Sequence, residues 1–291
     1  MKHVLVTGAN GQLGNSLKQA AREHDHFRFH YIDVNDLDLT DEWRVRQYFK
    51  ENRFSYIINC AAYTQVDQAE KQPDKAFLIN ADVPLLLGSI CLEESSFLIH
   101  LSTDYVYNGN ICRPHTEDEH PAALSVYAKS KLQGDMHIIR NPQAMIIRTS
   151  WLYGEYGQNF LKTMIRLSGE KQELSVVFDQ TGTPTYSGDL ASAILQILIY
   201  SEDHGFKPGI YNFSNEGVCS WYDFATEIMH LLRSGCAVRP VRTRDYPLPA
   251  TRPEYGVMDK SKIKNTFGIA IRHWREALIA ALKNMENSKE I

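Results

Sequence analysis

Near its N terminus the chain reads Val4-Leu5-Val6-Thr7-Gly8-Ala9-Asn10-Gly11-Gln12-Leu13-Gly14, and this stretch decides the fold. A short apolar run, which predicts a β-strand, leads directly into glycines spaced three apart and then into a helical pattern. Gly8, Gly11 and Gly14 let the backbone approach a pyrophosphate, which binds at the positive end of the helix. The stretch therefore predicts a strand, a turn and a helix that bind a dinucleotide.

The same alternation of strand and helix continues through the first half of the chain. Near-continuous apolar strands are typical of a parallel sheet that helices cover on both faces, so the fold class is α/β, a Rossmann-type doubly wound parallel sheet. The carboxyl ends of such strands meet at one edge, where the sequence motifs fall. We predict strands at 3–7, 29–32, 56–59, 98–102 and 145–148, and helices at 12–22, 41–51, 84–94 and 125–139.

After Arg148 the pattern loosens, and the sequence predicts a smaller C-terminal α+β lobe that binds substrate. We divide the chain into a nucleotide-binding Rossmann domain at 1–153 and a lobe at 154–291, some segments of which return to the first sheet. Long loops with proline, such as Tyr246-Pro247-Leu248-Pro249-Ala250-Thr251-Arg252-Pro253, are candidates for a surface that grips a ligand. Helices are predicted at 159–167, 188–200, 221–232 and 274–285.

Asp33 ends the second predicted strand, where an acidic residue accepts hydrogen bonds from the adenosine ribose. This position favours NAD, because a phosphate on that ribose would meet a carboxylate. Arg22 or Arg28 could approach the phosphate, so the sequence leaves NADH and NADPH both open.

Tyr127 and Lys131 lie four residues apart, and on a helix they share one face. Reduction of a ketone needs a hydride, a proton for the new alkoxide and a donor that polarises the carbonyl. Tyr127 can supply the proton, and Thr103, just after a strand, can polarise the carbonyl. A nearby ammonium lowers the pKa of a phenol, so we expect Lys131 to make Tyr127 a better acid.

Composition excludes several other classes of function. The net charge of −4 leaves no basic field for nucleic acid, and no apolar stretch reaches the roughly 20 uninterrupted residues of a membrane span. Five scattered cysteines show neither disulfide density nor metal-binding spacing, and no signal peptide is evident. We expect a cytoplasmic protein without a nucleic-acid or membrane partner.

The chain resembles the extended short-chain dehydrogenase/reductases, and within them the family of dTDP-4-dehydrorhamnose reductases. Few of the shared motifs are generic, and they run through almost the whole chain. Besides the glycine turn, they are Asn59-Cys60-Ala61-Ala62-Tyr63-Thr64-Gln65-Val66-Asp67-Gln68-Ala69-Glu70, Ser102-Thr103-Asp104-Tyr105-Val106-Tyr107, Tyr127-x-x-x-Lys131, Arg148-Thr149-Ser150-Trp151-Leu152-Tyr153-Gly154, Asn159-Phe160, Asp179-Gln180-x-Gly182-x-Pro184-Thr185, Trp221-Tyr222-Asp223-Phe224-Ala225 and Ala250-Thr251-Arg252-Pro253.

The resemblance implies reduction of the 4-keto group of dTDP-4-dehydro-β-L-rhamnose by NADPH or NADH, the last step in making dTDP-L-rhamnose for surface polysaccharide. It implies that Thr103, Tyr127 and Lys131 are catalytic and that Thr103, Asp104, Tyr105 and Trp151 contact the sugar. The residues that it implies for the cofactor are Gly8, Asn10, Gly11, Gln12, Leu13, Gly14, Asp33, Asp38, Leu39, Ala61, Ala62, Tyr63, Tyr127 and Lys131.

Members of this family are described with a Mg²⁺ ion that glutamates hold at a homodimer contact. Here Asn15 follows Gly14, and the loop at 185–191 offers only Asp189, so the sequence assigns no metal. A homodimer formed through that contact is equally unsupported.

Three alternatives stay open. A nucleotide-sugar 4,6-dehydratase would carry a second carboxylate after Asp104, where this chain has Tyr105. A 4-epimerase also uses a Tyr and Lys pair but leaves its cofactor unchanged overall. A reductase-like regulatory subunit would need no intact Thr103, Tyr127 and Lys131.

Overall fold

A computed structural model describes residues 1–107 and 109–287. The described chain contains a large parallel sheet, three small strand pairs and helices on both faces of the large sheet. The strands are β1 Lys2–Thr7, β2 Phe27–Ile32, β3 Tyr56–Asn59, β4 Phe97–Thr103, β5 Ala144–Thr149, β6 Leu152–Tyr153, β7 Glu173–Val177, β8 Thr181–Gly182, β9 Thr185–Tyr186, β10 Gly209–Phe213, β11 Cys219–Ser220 and β12 Ala237–Val241. The α-helices are α1 Gln12–Ala20, α2 Glu42–Glu51, α3 Val66–Ala69, α4 Pro73–Phe77, α5 Val83–Glu94, α6 Val126–Ile138, α7 Phe160–Glu170, α8 Ser187–His204, α9 Trp221–Leu231, α10 Ser261–Phe267 and α11 Trp274–Asn287.

The large sheet has six parallel strands in the order β10-β5-β4-β3-β1-β2. Chain order reverses between β1 and β3, and a ligand crevice opens at such a switch point, outside the carboxyl ends of the strands. The Rossmann-type α/β fold predicted from the sequence is confirmed.

Two apolar clusters cover the two faces of this sheet. Val4 and Ile99 belong to a cluster that α1, α8 and α10 complete. Leu5 and Leu98, the neighbours of Val4 and Ile99 on their strands, belong to the opposite cluster under α2, α5 and α6. Since side chains alternate along a strand, Thr7, Asn59 and His100 also face α6.

The second half of the chain builds a smaller unit and also extends the first sheet. Helices α7, α9 and α11 pack on short strands around their own apolar cluster, which includes Phe224 and Trp274. Strand β10 instead pairs with β5 at the edge of the large sheet, and α8 packs against α1.

One helical run differs from the expectation that no stretch could span a membrane. The run Pro73–Glu94 is helical for 22 residues, with a mean hydropathy of 1.5. By length and composition alone, it could span a membrane. A π-turn at Leu78–Asp82 joins α4 to α5, so the helical run begins well before the predicted residue 84. Half of its most apolar window is buried, as in a core helix of a soluble protein.

Candidate active site

The chemical end of the site lies where β4 stops. Thr103 is the last residue of the strand, and its hydroxyl accepts the N–H of Tyr105 at 3.2 Å and donates to Asp104 Oδ1 at 3.1 Å. Thr103 and Asp104 are both buried. The side chain of Thr103 thereby caps the short 3₁₀ turn Asp104–Val106, which fixes the polar groups at the strand end.

Tyr127 occupies the first turn of α6, and the sequence explains why the helix begins there. Ser125 is the N-cap, and its hydroxyl accepts the N–H of Ala128 at 3.2 Å. Glu70 accepts the N–H of Val126 at 2.9 Å, which satisfies a further free donor of the helix end. Tyr127 is thus held on a capped turn beside Thr103.

Burial raises the pKa of Tyr127 to about 12, and a hydrogen bond with Thr103 opposes that rise. The ring of Tyr105 packs edge-on against the ring of Tyr127, with centroids 5.6 Å apart. The phenol is therefore fully protonated at neutral pH and is available as a proton donor.

The expectation that Lys131 makes Tyr127 a better acid is wrong, because the pKa of Tyr127 is raised rather than lowered. Lys131 is 2% exposed, and its Nζ donates to the carbonyl of Leu101 at 2.6 Å and lies 3.2 Å from His100 Nε2. The side chain turns toward β4, so its charge is not among the groups that shift the phenol. Burial instead lowers the pKa of Lys131 to about 8.

Asp104 is enclosed by a segment more than 150 residues away in the chain. A Cβ on Gly256 would lie 2.6 Å from Asp104 Oδ2, so only glycine allows this approach. Oδ2 has no hydrogen-bond partner, and burial raises the pKa of Asp104 to about 7.

The segment 246–253, called here the Pro-rich segment, reaches this site through one ion pair. Arg252 Nη2 lies 2.7 Å from Asp67 Oδ2, and its Nη1 lies 3.2 Å from Asp67 Oδ1. The backbone N–H of Ala250 donates to the same carboxylate at 3.1 Å, and Arg252 also hydrogen-bonds Tyr105. Asp67 on α3 thus holds the Pro-rich segment next to the strand end.

Trp151 follows β5 in a left-handed conformation, with a φ of 46°. Its ring stacks on Trp221, with centroids 3.7 Å apart and planes inclined by 11°. A Cβ on Gly182 would lie 2.7 Å from Cε2 of the Trp151 indole, so this glycine leaves room for the ring. The Thr-Ser-Trp motif therefore presents a fixed aromatic ring just beyond the carboxyl end of β5.

A cavity of about 590 Å³ opens at the switch point between β1 and β3. Its wall includes most of the cofactor residues implied by the resemblance, together with other residues that were not in that set. The implied residues on the wall are Gly8, Asn10, Gly11, Asp33, Asp38, Leu39, Ala61, Ala62 and Tyr63, and the others include Val34, Leu37, Thr40, Cys60, Thr64, Gln65, Lys75, Ile79 and Val83.

The floor of this cavity fits a pyrophosphate. Gly8 has a φ of 61°, and a Cβ there would lie 2.7 Å from the backbone nitrogen of Ala61, so the turn has no room for a side chain at this position. Gly11 is the N-cap of helix α1, and no side chain caps this helix end. Its first N–H groups are thereby left to an anion.

Asp33 lies on the wall of the cavity, directly after β2. Its Oδ2 accepts the N–H of Asn10 and its Oδ1 accepts the N–H of Val34, both at 2.8 Å. These bonds orient the carboxylate at the end of β2, where it can accept from ribose hydroxyls.

Some implied cofactor residues lie elsewhere. The side chain of Leu13 is in the apolar core, and Gly14 is buried in α1. Gln12 links the two halves of the chain, because it donates to the carbonyl of Leu152 at 3.2 Å and accepts from Asn159 at 3.0 Å. Of the wall residues outside the implied set, Thr64 and Gln65 belong to the motif that begins at Asn59, whereas Lys75 on α4 had no sequence signal.

The residues expected near a family Mg²⁺ site do not fit that ion. Both oxygens of Asp189 are engaged by Arg272, at 2.6 and 2.8 Å, and Asn15 donates its amide to backbone carbonyls of its own turn. Within the described ranges, no group of three or more His, Cys, Asp and Glu side chains is placed to hold a metal ion.

Comparisons with known proteins agree with this geometry. The "RmlD substrate binding domain" family profile matches residues 1–287. A dTDP-4-dehydrorhamnose reductase of Aggregatibacter actinomycetemcomitans is 39% identical over 96% of this chain and 97% of its own length. The spore coat polysaccharide biosynthesis protein SpsK of Bacillus subtilis is 41% identical over 96% of each chain. A crystal structure of dTDP-4-dehydrorhamnose reductase from Bacillus anthracis in complex with NADP superposes with a TM-score of 0.92, at 37% identity over 97% of this chain and 99% of that one.

The switch-point cavity, the glycine turn and the Tyr127 and Lys131 helix together define an extended short-chain dehydrogenase/reductase, a class of NAD(P)-dependent enzymes. Within that class, the chain belongs to the RmlD substrate-binding domain family, whose profile covers it almost completely.

Proposed function

We propose that this protein is an NAD(P)H-dependent reductase of the 4-keto group of dTDP-4-dehydro-β-L-rhamnose and forms dTDP-L-rhamnose. The observation that carries the proposal is the protonated phenol of Tyr127, hydrogen-bonded to Thr103 at the end of β4 in a member of this family. Relatives named dTDP-4-dehydrorhamnose reductase, which align over nearly the whole chain, support the same substrate class.

The reaction adds a hydride and a proton across the carbonyl. The nicotinamide nucleotide, when bound, supplies the hydride to C4 of the sugar. We assign to Tyr127 the proton for the resulting alkoxide oxygen, and to Thr103 a hydrogen bond that polarises the carbonyl. Lys131 completes the catalytic set, and Asp104, Tyr105 and Trp151 would contact the sugar.

The cavity wall residues from Gly8 to Tyr63 would hold the cofactor, with Asp33 on the adenosine ribose and the N terminus of α1 on the pyrophosphate. The cofactor complex of the B. anthracis relative supports this assignment. Gln12, Leu13 and Gly14 would contribute through the backbone or through the shape of the turn.

Simple reduction is favoured over dehydration at this site. A dehydratase of this class needs a second carboxylate after the one at position 104, and the residue there is Tyr105. That ring packs on Tyr127 and hydrogen-bonds Arg252, so no base occupies the position.

The remaining assignments extend this proposal. We place the protein in the cytoplasm, in keeping with five cysteines that form no disulfide with one another. The division into a Rossmann domain at 1–153 and a substrate lobe at 154–291 also belongs to the proposal, with β10 as the segment that returns to the first sheet.

An absorbance assay tests the function. Purified protein is mixed with NADPH or NADH and enzymatically made dTDP-4-dehydrorhamnose, and loss of nicotinamide absorbance is followed beside a control with dTDP-glucose. We expect one reduced cofactor to be consumed per dTDP-rhamnose formed. No substrate-dependent loss would overturn the reductase assignment, and sugar conversion without net cofactor oxidation would identify an epimerase.

A further inference from the structure

Lys18 on α1 brings a positive charge to the part of the cavity where Asp33 lies. Its Nζ donates to Asn10 Oδ1 at 3.3 Å. The backbone N–H of the same asparagine donates to Asp33 Oδ2 at 2.8 Å, and both residues lie on the cavity wall. Asn10 thus contacts the ammonium through its side chain and the carboxylate through its backbone.

The side chain of Lys18 is held in this direction. A helical side chain leans toward the N terminus of its helix, which for α1 is the end at the cavity. Its Nζ lies 5.4 Å from the centroid of the Tyr31 ring on β2, and the residue is partly buried. Asn15 donates to the backbone carbonyl of Asn10 at 2.9 Å, which fixes the residue that the ammonium contacts.

The two arginines that the sequence offered for this place lie elsewhere. Arg22 belongs to the 3₁₀ turn after α1, so the length of the helix, about 14 Å at 1.5 Å per residue, separates it from Gly11. Arg28 is the second residue of β2, so most of the strand separates it from the cavity. Alternation along the strand also turns Arg28 to the face opposite Tyr31, away from α1. Neither arginine is among the residues of the cavity wall.

A charge at this position matters because NADPH and NADH differ by one phosphate, on the 2′ oxygen of the adenosine ribose. In the proposed cofactor site, Asp33 accepts hydrogen bonds from the hydroxyls of that ribose. A phosphate monoester carries about −1.5 to −2 charges at neutral pH. The carboxylates of Asp33 and of Asp36, which accepts the N–H of Asp33 at 2.8 Å, would repel it unless a cation is close.

We propose that Lys18 is a specificity-determining residue that binds the 2′-phosphate of NADPH and so lets the protein use NADPH as well as NADH. This inference deepens the proposed function, since it assigns the cofactor range of the same site. With NADH, the ammonium stays on Asn10 while Asp33 binds the ribose hydroxyls. With NADPH, the ammonium exchanges a neutral amide oxygen for a phosphate, which is the stronger acceptor.

A second lysine on the cavity wall provides an internal comparison. Lys75 on α4 has its Nζ 5.8 Å from the centroid of the Tyr63 ring. Ile79 and Val83, which follow it at helical spacing, line the same wall, so Lys75 belongs to the face that α4 and α5 present. We expect a charge on that face to act on the groups that NADH and NADPH share.

Titration of the full chain with NADPH and with NADH, followed by nicotinamide fluorescence, tests the proposal without any turnover. Lys18→Met keeps the apolar stem beside Tyr31 and removes the charge. We expect it to raise the Kd of NADPH about tenfold, roughly the effect of one charge-assisted hydrogen bond, and to change the Kd of NADH by less than about twofold. Lys18→Arg should retain NADPH binding, and Lys75→Gln should change both Kd values by the same factor.

Competition with 2′,5′-ADP, which carries the same phosphate without nicotinamide, locates the effect. We expect 2′,5′-ADP to displace NADH about tenfold less well from Lys18→Met than from the unmodified chain. An equal change in the Kd of both dinucleotides, or unchanged binding of NADPH and of 2′,5′-ADP, would overturn the proposal. If Lys18→Met does not fold, Lys18→Gln takes its place with the same expected values.

The outcome for Lys18 is separate from the outcome for the reductase activity. If the absorbance assay shows no turnover of the sugar nucleotide, the reductase assignment fails, but the Kd values still decide the role of Lys18. If Lys18→Met binds both dinucleotides as the unmodified chain does, the role of Lys18 fails and the reductase assignment stands. A chain that binds neither dinucleotide would overturn both.

Discussion

Tyr127 combines two properties that a proton donor in a reductase needs, a fixed position and a proton at neutral pH. The capped first turn of α6 supplies the position, and burial supplies the high pKa of about 12. Tyr127→Phe should lower kcat by at least ~100-fold, the usual contribution of a general acid, and leave the cofactor Kd unchanged.

Steady-state assays and titration of nicotinamide fluorescence measure the two effects. Tyr200→Phe, on the remote helix α8, is the matched control and should retain full turnover. Near-normal turnover in Tyr127→Phe would mean that another group supplies the proton.

Asp104 makes folding stability depend on pH. Burial raises its pKa to about 7, so between about pH 4 and pH 7 the folded chain binds a proton that the unfolded chain has released. The free energy of unfolding therefore falls as pH rises through this window. Relative to the unmodified chain, Asp104→Asn should gain about 2 kcal/mol between pH 5 and pH 8.

Urea unfolding at the two pH values measures this gain, and Asp74→Asn at the exposed start of α4 is the control. An equal stability difference at both pH values would show that Asp104 is ionised in the folded chain throughout.

At the scale of elements, the cap of α6 connects helix stability to catalysis. Ser125→Ala removes the acceptor for the N–H of Ala128 and should cost about 1 kcal/mol of unfolding free energy. Without the cap, the first turn of α6 should fray. Because this turn contains Tyr127, kcat should fall as well.

Asp41→Ala removes the equivalent cap of α2, where Asp41 accepts the N–H of Arg44 at 3.0 Å. We expect a similar loss of stability there without a loss of kcat. Thermal unfolding and initial rates separate the effects, and equal kcat in the two variants would contradict the link between cap and site.

The elements that the sequence predicted well carry local signals. Apolar runs and the glycine turn placed β1 to β5 and α1, and the helix predicted at 125–139 is α6, Val126–Ile138. The two-residue strands β6, β8, β9 and β11 have no periodicity to detect, and β10 gave no sign that it would join the distant β5.

The parts of the site that escaped prediction depend on contacts between distant residues. Lys131 turns away from Tyr127 because His100 and the Leu101 carbonyl on β4 bind its Nζ, which helical spacing cannot reveal. Likewise, the backbone at Gly256 packs against Asp104. The two residues are far apart in the sequence, so no local pattern predicts this contact.

At the scale of the whole molecule, Arg252 and Asp67 connect the C-terminal half of the chain to the first half near the end of β4. Arg252→Ala should release the Pro-rich segment from α3 and raise the KM for the sugar nucleotide several-fold, while the cofactor Kd stays unchanged. The pair is partly buried and bidentate, so the expected loss of stability is about 1–2 kcal/mol.

Arg166→Ala, which breaks an exposed pair with Glu170, is the control and should cost less than about 1 kcal/mol. Kinetics with both ligands and a double-mutant cycle with Asp67→Ala give the measurement. A coupling energy near zero would mean that the pair does not hold the segment.

The position of β10 at the edge of the large sheet has a consequence for synthesis on the ribosome. When residue 153 emerges, five of the six strands exist, and β5 presents an unpaired edge until Gly209–Phe213 follows. At roughly 5–20 residues per second, the 60 residues from 153 to 213 take about 3–12 s to make. During that interval the nascent chain exposes an apolar edge strand, which is when chaperones would be needed most.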